Sequence, residues 1–199
     1  MDVTFHRLAG NLYFTTAVRD DGVTVTAPGY DRSAIPHDLA HFVSEREFGM
    51  TRGFWGSVAA GALFTNMAVT AGRQKPHAAE RSKRTIKAHA EDIGLAEAVA
   101  GAVHDAVERD LAPETVMARL RAHWGAVSSG PLPMADADVA AAVAALRREA
   151  ERWSVVPVDQ GLTLTWPFRG ERLPGAGLGK ARAGRHPRSS HRRRSGRRW

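Results

Sequence analysis

The first 30 residues alternate apolar and polar positions with the period of two that marks half-buried strands. Val3, Phe5 and Leu8 form one set, and Leu12, Phe14, Thr16 and Val18 a second, joined near Gly10-Asn11. Val23, Val25 and Ala27 predict a third strand after the turn at Asp20-Asp21-Gly22, and Pro28-Gly29-Tyr30 is expected to end it. The period then changes. Pro36 precedes a helix predicted over 37–48, with Leu39, Phe42, Val43 and the aliphatic stem of Arg46 on its packing stripe and Gly49 as its terminator.

The apolar stretch 53–64 reads as a buried helix. Extended to Ala71 it reaches about 18 residues, the lower limit for a membrane span. Ser57, Thr65, Asn66 and Thr70 interrupt it, and its glycines suit close packing against other helices, so no membrane insertion is expected. Ile93, Ala96, Val99, Ala100, Val103 and Val107 keep helical spacing, and Pro113 opens a further helix through Val116, Met117 and Leu120. Gly130-Pro131-Leu132-Pro133 is a connection, followed by a helix over 135–153 with Asp136 or Asp138 near its start. A closing hairpin is expected from Val155-Val156-Pro157-Val158 across Asp159-Gln160-Gly161 to Leu162-Thr163-Leu164-Thr165-Trp166. These elements predict an α+β fold in which short antiparallel strands from both chain ends form one sheet packed against a helical middle.

Charge divides the chain. The formal net charge is +7, but nine of the 28 lysines and arginines lie in 175–199, which has no carboxylate. Residues 1–174 therefore carry 19 basic and 21 acidic residues, formally −2. A single domain over 1–174 and a disordered Arg-rich tail over 175–199 are expected, because the tail has almost no apolar side chains to offset the entropy of ordering it. Arg192-Arg193-Arg194 and Arg197-Arg198 could contact nucleic acid, without sequence preference, or acidic membranes; the alternative is an incidental disordered extension. With no cysteine, disulfides, thiolate metal sites and thiol nucleophiles are excluded. Together with a start, Met1-Asp2-Val3-Thr4-Phe5-His6-Arg7, that lacks the pattern of a secretion signal, this places the expected compartment in the cytoplasm.

Chemistry concentrates in His37-Asp38-Leu39-Ala40-His41 and Glu45. A spacing of four is slightly more than one helical turn, so both imidazoles project from one face and could converge on zinc or another divalent metal. Glu45 lies about 12 Å of helix rise beyond His37. It is expected to hold His41 in one tautomer, or to bind a metal with His41 alone. A third protein ligand must come from another element. His104, followed by Glu108 on the same face, is the first candidate; His89 with Glu91 or Asp92, and His6 from the first strand, come next. A structural reading stays open beside this one, with His37 capping its helix, His41 packing near Phe42, and Glu45 paired with Arg46 or Arg52.

Residues 37–41 resemble the His-Glu-x-x-His segment of zinc metallopeptidases, whose histidines hold zinc and whose glutamate activates water. That resemblance implies His37 and His41 as ligands, and Asp38 in the place of the base with a reach shorter by one methylene. Across roughly residues 1–168, the segment Ile35-Pro36-His37-Asp38-Leu39-Ala40-His41-Phe42-Val43-Ser44-Glu45, with Gly53-Phe54-Trp55-Gly56 downstream, resembles a family of small uncharacterised bacterial proteins. This implies a genuine domain with a peripheral tail, and brings no activity to transfer.

Other chemistries lack their residues. There is no phosphate-binding Gly-Lys-Ser/Thr loop, dinucleotide fingerprint or serine nucleophile elbow. Phe54 and Trp55 read as core or interface anchors. Arg73, Lys75, Arg81, Lys83, Arg84 and Lys87 form a basic run interrupted by Glu80 and ended by Glu91 and Asp92; it reads first as a solvated helix face and second as a phosphate contact. Metal-dependent hydrolysis is thus the leading function, with Asp38 and Glu45 as candidate catalytic residues and His37, His41 and His104 as candidate ligands. The alternatives are a noncatalytic interaction or structural protein, as a homo-oligomer or with another partner, and a nonspecific nucleic-acid-binding accessory protein. An unidentified small molecule or protein is the expected partner.

Overall fold

The computed structural model describes residues 1–30, 33–127 and 130–168; the Arg-rich tail expected over 175–199 lies outside them. Strands β1 (Asp2–Arg7), β2 (Leu12–Val18) and β3 (Thr24–Tyr30) open the chain. Helices α1 (His37–Glu47) and α2 (Phe54–Ala59), strand β4 (Ala68–Ala71), helices α3 (Ala78–Ala88), α4 (Ala90–Glu108), α5 (Pro113–Val127) and α6 (Asp136–Ser154), and strand β5 (Gly161–Thr165) follow. The five strands form one antiparallel sheet in the order β4-β3-β2-β1-β5, so strands from both chain ends are neighbours, as the hydrophobic pattern predicts.

Alternation decides which face of the sheet is covered. Val3, Phe5, Tyr13, Ala17, Val25, Ala27, Leu162 and Leu164 are buried on the helical side. The opposite face carries a row of threonines in register, Thr163 beside Thr4, Thr4 beside Thr16 and Thr16 beside Thr26. Hydroxyl contacts tie the row at its ends, Thr4–Thr163 at 2.8 Å and Thr26–Thr70 at 3.1 Å. Every residue of α1 from Leu39 to Glu45 is buried, so this helix is enclosed around its whole circumference. Phe42 meets Phe5, Trp55 and Trp166 edge-on, with ring centroids 6.1, 6.2 and 5.3 Å away. Behind α1, the buried stripes Ala96, Val99, Ala100 and Val103 of α4 and Val139, Ala142, Ala145 and Leu146 of α6 complete the core. Asp138 accepts a hydrogen bond from the Ala135 N–H at 3.3 Å, the predicted acidic start of the last helix.

Three local expectations are corrected. The apolar stretch after Gly53 does not continue as a helix. It ends at Ala59, turns through Gly61 at φ +99°, and becomes β4 against β3. β3 runs through Pro28 and Gly29 instead of stopping before them; β4 pairs only as far as Thr26, so the missing Pro28 N–H breaks no bond to it. Gly29 is required there because the Tyr13 ring lies across it, 2.1 Å from where a Cβ would stand. At the other end, the four residues from Val155 to Val158 form no strand, and β5 pairs with β1 instead. Arg7 explains the loop: its guanidinium donates to the carbonyls of Ser154 and Val156, both at 2.9 Å, and to that of Trp153 at 3.3 Å, satisfying the end of α6. Among the described residues no helix is long and apolar enough to cross a membrane.

Phe42 is fully buried and meets three aromatic rings. Phe42→Ala is expected to lower unfolding free energy by about 3–5 kcal/mol in urea titrations. Val158→Ala, at an exposed loop position, should change it by less than about 0.5 kcal/mol.

Candidate metal centre

The backbone leading into α1 is held before any site residue is placed. Ile35 donates its N–H to Glu108 Oε1 at 2.7 Å and accepts at its carbonyl from His104 Nε2 at 2.9 Å. The Trp153 indole donates to the Ala34 carbonyl at 3.1 Å. Pro36 then supplies the carbonyl that receives the Leu39 and Ala40 N–H groups. Asp38 ties the first turn to the sheet, its Oδ2 accepting from the Thr15 hydroxyl at 2.9 Å and its carbonyl from the Trp55 indole at 3.0 Å.

With the turn fixed, His37 and His41 stand together, ring centroids 4.9 Å apart and planes at 67°. The third group comes from α4. Glu97 Oε2 lies 3.2 Å from His41 Nε2, and ligand atoms of His37, His41 and Glu97 all fall within 4.8 Å of one another. Two metal bonds of about 2.0–2.1 Å in tetrahedral array separate ligand atoms by roughly 3.3 Å. The His41–Glu97 edge already has that length, and His37 needs to move inward by about 1.5 Å at most. The cluster runs from interior to surface: His41 is buried, His37 half-buried, and the Glu97 side chain 56% exposed.

Behind His41 sits Glu45, which is wholly buried. Its Oε1 lies 3.4 Å from His41 Nδ1 and accepts from the Phe54 N–H at 3.0 Å. Its Oε2 accepts from the N–H groups of Trp55 at 3.0 Å and Gly56 at 3.4 Å. A single carboxylate thus satisfies the free N–H groups at the start of α2 and steadies one ring nitrogen of His41, leaving the other toward Glu97. Gly53 makes room for it, since a Cβ there would stand 2.5 Å from Glu45 Oε2; at Gly56 a Cβ would meet the Thr51 carbonyl oxygen at 2.3 Å. The spaced glycines around Phe54 and Trp55 are a steric requirement of this arrangement. Trp55 is a core anchor, and half-buried Phe54 packs 5.5 Å from the His41 ring.

Burial alone would lower the proton affinity of His41, but hydrogen bonds to Glu45 and Glu97, and their charge, outweigh it and push the pKa up from 6.5 to about 9. Burial raises Glu45 against the opposing pull of His41 and the α2 N–H groups. Glu97 is lowered, chiefly by its hydrogen bond to His41. In metal-free protein a proton therefore holds the three groups together.

The other sequence candidates occupy different places. His104 approaches His37 to 5.6 Å between ring centroids, while its Nε2 is engaged by Ile35. Asp38 directs its carboxylate to Thr15. His89 Nδ1 contacts the Ser57 hydroxyl at 2.9 Å, and Asp92 pairs with Arg52 at 2.8 Å. His6 stacks on Phe14 at 4.3 Å and contacts Thr16. Arg46 pairs with Glu47 and Glu149, not with Glu45. Sequence reasoning missed Glu97. Its signal was the polar positions Glu97, His104 and Glu108, seven and four residues apart on one side of α4, beside its apolar face. Comparison with protein-family models, curated proteins and solved structures returns no match.

Two glycines separate the steric argument from general glycine effects. Gly53→Ala should destabilise by about 1–3 kcal/mol as the methyl meets the carboxylate. Gly94→Ala in α4, where a Cβ meets nothing within 4 Å, should stabilise by about 0.5–1 kcal/mol. The raised His41 pKa sets a pH window. Its contribution to metal-free stability is complete below the unfolded value of 6.5 and disappears as pH rises through about 9. Urea midpoints should fall across that interval, and His41→Ala should flatten the fall.

Proposed function

We propose that this chain binds a divalent metal through His37, His41 and Glu97, with zinc the leading ion, and uses it for hydrolysis. The observation that carries the reading is the convergence of two imidazoles and a carboxylate, backed by a second carboxylate on the far nitrogen of one imidazole. Two histidines and one carboxylate are a recurrent zinc set that leaves a position for water or substrate. The exposure of Glu97 supports an open position on the surface side of the cluster. A bound ion would supply Lewis acidity toward a water, carbonyl or phosphoryl oxygen.

Within this reading Glu45 is a positioning residue. It fixes the ring orientation of His41 and raises its basicity as a ligand. Asp38 also works by position, because its bond to Thr15 holds the turn that presents His37. His104 sets the backbone before that turn through Ile35. The absence of cysteine agrees with a cytoplasmic setting.

Elemental analysis by mass spectrometry, on tag-free full-length protein purified without added metal, tests the proposal. Near one zinc or other divalent ion per chain is expected, and it should be lost in a His37→Ala/His41→Ala double variant. Glu45→Gln should weaken affinity by about 10–100-fold while leaving the ligand set intact. A native chain that carries no metal and takes up none on supplementation would overturn the reading.

A further inference from the structure

The basic run of α3 and the loop before it does not face open solvent along its whole length. It folds over the turn between β2 and β3 and the segment after α2, enclosing a cavity of about 520 Å³. Among the described residues five cationic side chains line it, Arg19, Lys75, Arg81, Lys83 and Arg84, against the single carboxylate of Asp21. Arg19 comes from far away in sequence, and its side chain is only 10% exposed. Its Nε and Nη2 form a two-pronged pair with Asp21 at 3.0 and 2.6 Å, so that charge is held in place with Nη1 outside the pair.

The walls are anchored as well. The Ser82 hydroxyl accepts from the Leu63 N–H at 2.8 Å and lies 3.2 Å from the Leu63 carbonyl, pinning α3 to the segment after α2. Arg81 donates to the carbonyls of Pro76 and Lys75, which shapes the rim. Lys83 and Arg84 form no ion pair among the described residues, and Lys75 acts on the Asp21 carboxylate only through its charge. Glu80, on the same helix, is not part of the lining.

Like charges gathered into one concavity repel each other, and a multiply charged anion relieves that repulsion while low-dielectric walls concentrate the field. Guanidinium and ammonium groups together suit phosphate oxygens. Leu63 and Val69 supply an apolar patch in the lining for the organic part of a ligand. The volume falls within the range of about 300–1,000 Å³ usual for small-molecule sites. Among the described residues no aromatic side chain lines the cavity, and so none offers there the stacking surface that single-stranded nucleic acid uses. We propose that this cavity binds a phosphate-bearing small molecule, with Lys75 and Arg84 contacting the phosphate oxygens.

Isothermal titration of the full chain with pyrophosphate, at low ionic strength after metal has been stripped with EDTA and the EDTA dialysed away, tests this. Saturable one-to-one binding is expected, weakened at least tenfold in a Lys75→Gln/Arg84→Gln variant. Both side chains are exposed, so the variant's urea midpoint should match that of the native chain. Both proteins carry the same residues 175–199, so any binding there appears equally in the two. No saturable binding by the native chain, or equal affinity in the variant, would overturn the proposal.

Discussion

A fully buried carboxylate organises the centre of this protein. Removing a charge from water is unfavourable by several kcal/mol unless the fold returns its hydrogen bonds. Glu45 recovers them from three consecutive N–H groups at the start of α2 and from His41. The exchange is reciprocal. A six-residue helix such as α2 does not hold together in isolation, and the carboxylate satisfies the N–H groups that its first turn leaves open. The geometry closes only because Gly53 and Gly56 have no side chain. Trp55 is thereby delivered into the aromatic core, where its indole bonds to Asp38 at the other end of α1.

His41 takes its position from that interaction, and the enclosure of α1 sets the place of the helix that carries it. A helix buried on all sides normally carries apolar residues all round. Here His41 and Glu45 are buried as a matched pair, and His37 lies one turn earlier, where the helix meets the surface. α4 completes the site from the opposite wall with Glu97, and two turns further along the same stripe His104 and Glu108 grip the Ile35 peptide. The residues that supply the centre and those that fix the backbone before it therefore share two helix faces. Such sharing gives the preorganisation that a metal site needs from its surroundings.

The sequence exposed whatever depends on local periodicity. Alternation located the terminal strands, the stripe of Leu39, Phe42 and Val43 located α1, and the spacing of His37 and His41 placed both imidazoles on one face. The pairing of Glu45 with His41 was likewise legible, because both lie on one helix. What escaped was decided by distant partners. β4 has four residues, and its conformation is set by pairing with β3, not by its own pattern. The four residues from Val155 to Val158 look like a strand, yet Arg7 draws their carbonyls into a helix-ending loop and β1 takes β5 as its neighbour. Glu97 resembles any surface glutamate until α4 is laid against α1. The cavity beside α3 was hidden for the same reason, since Arg19 and the basic run meet only after the sheet has formed.

The test that bears most directly on this arrangement is crystallographic. Diffraction from zinc-soaked crystals, recorded on both sides of the zinc absorption edge, should show one anomalous peak bounded by His37, His41 and Glu97. Glu45 should stay on the far nitrogen of His41 and out of the coordination shell. No peak there, or zinc held by a different set of side chains while these three keep their present contacts, would contradict a metal centre built on α1 and α4.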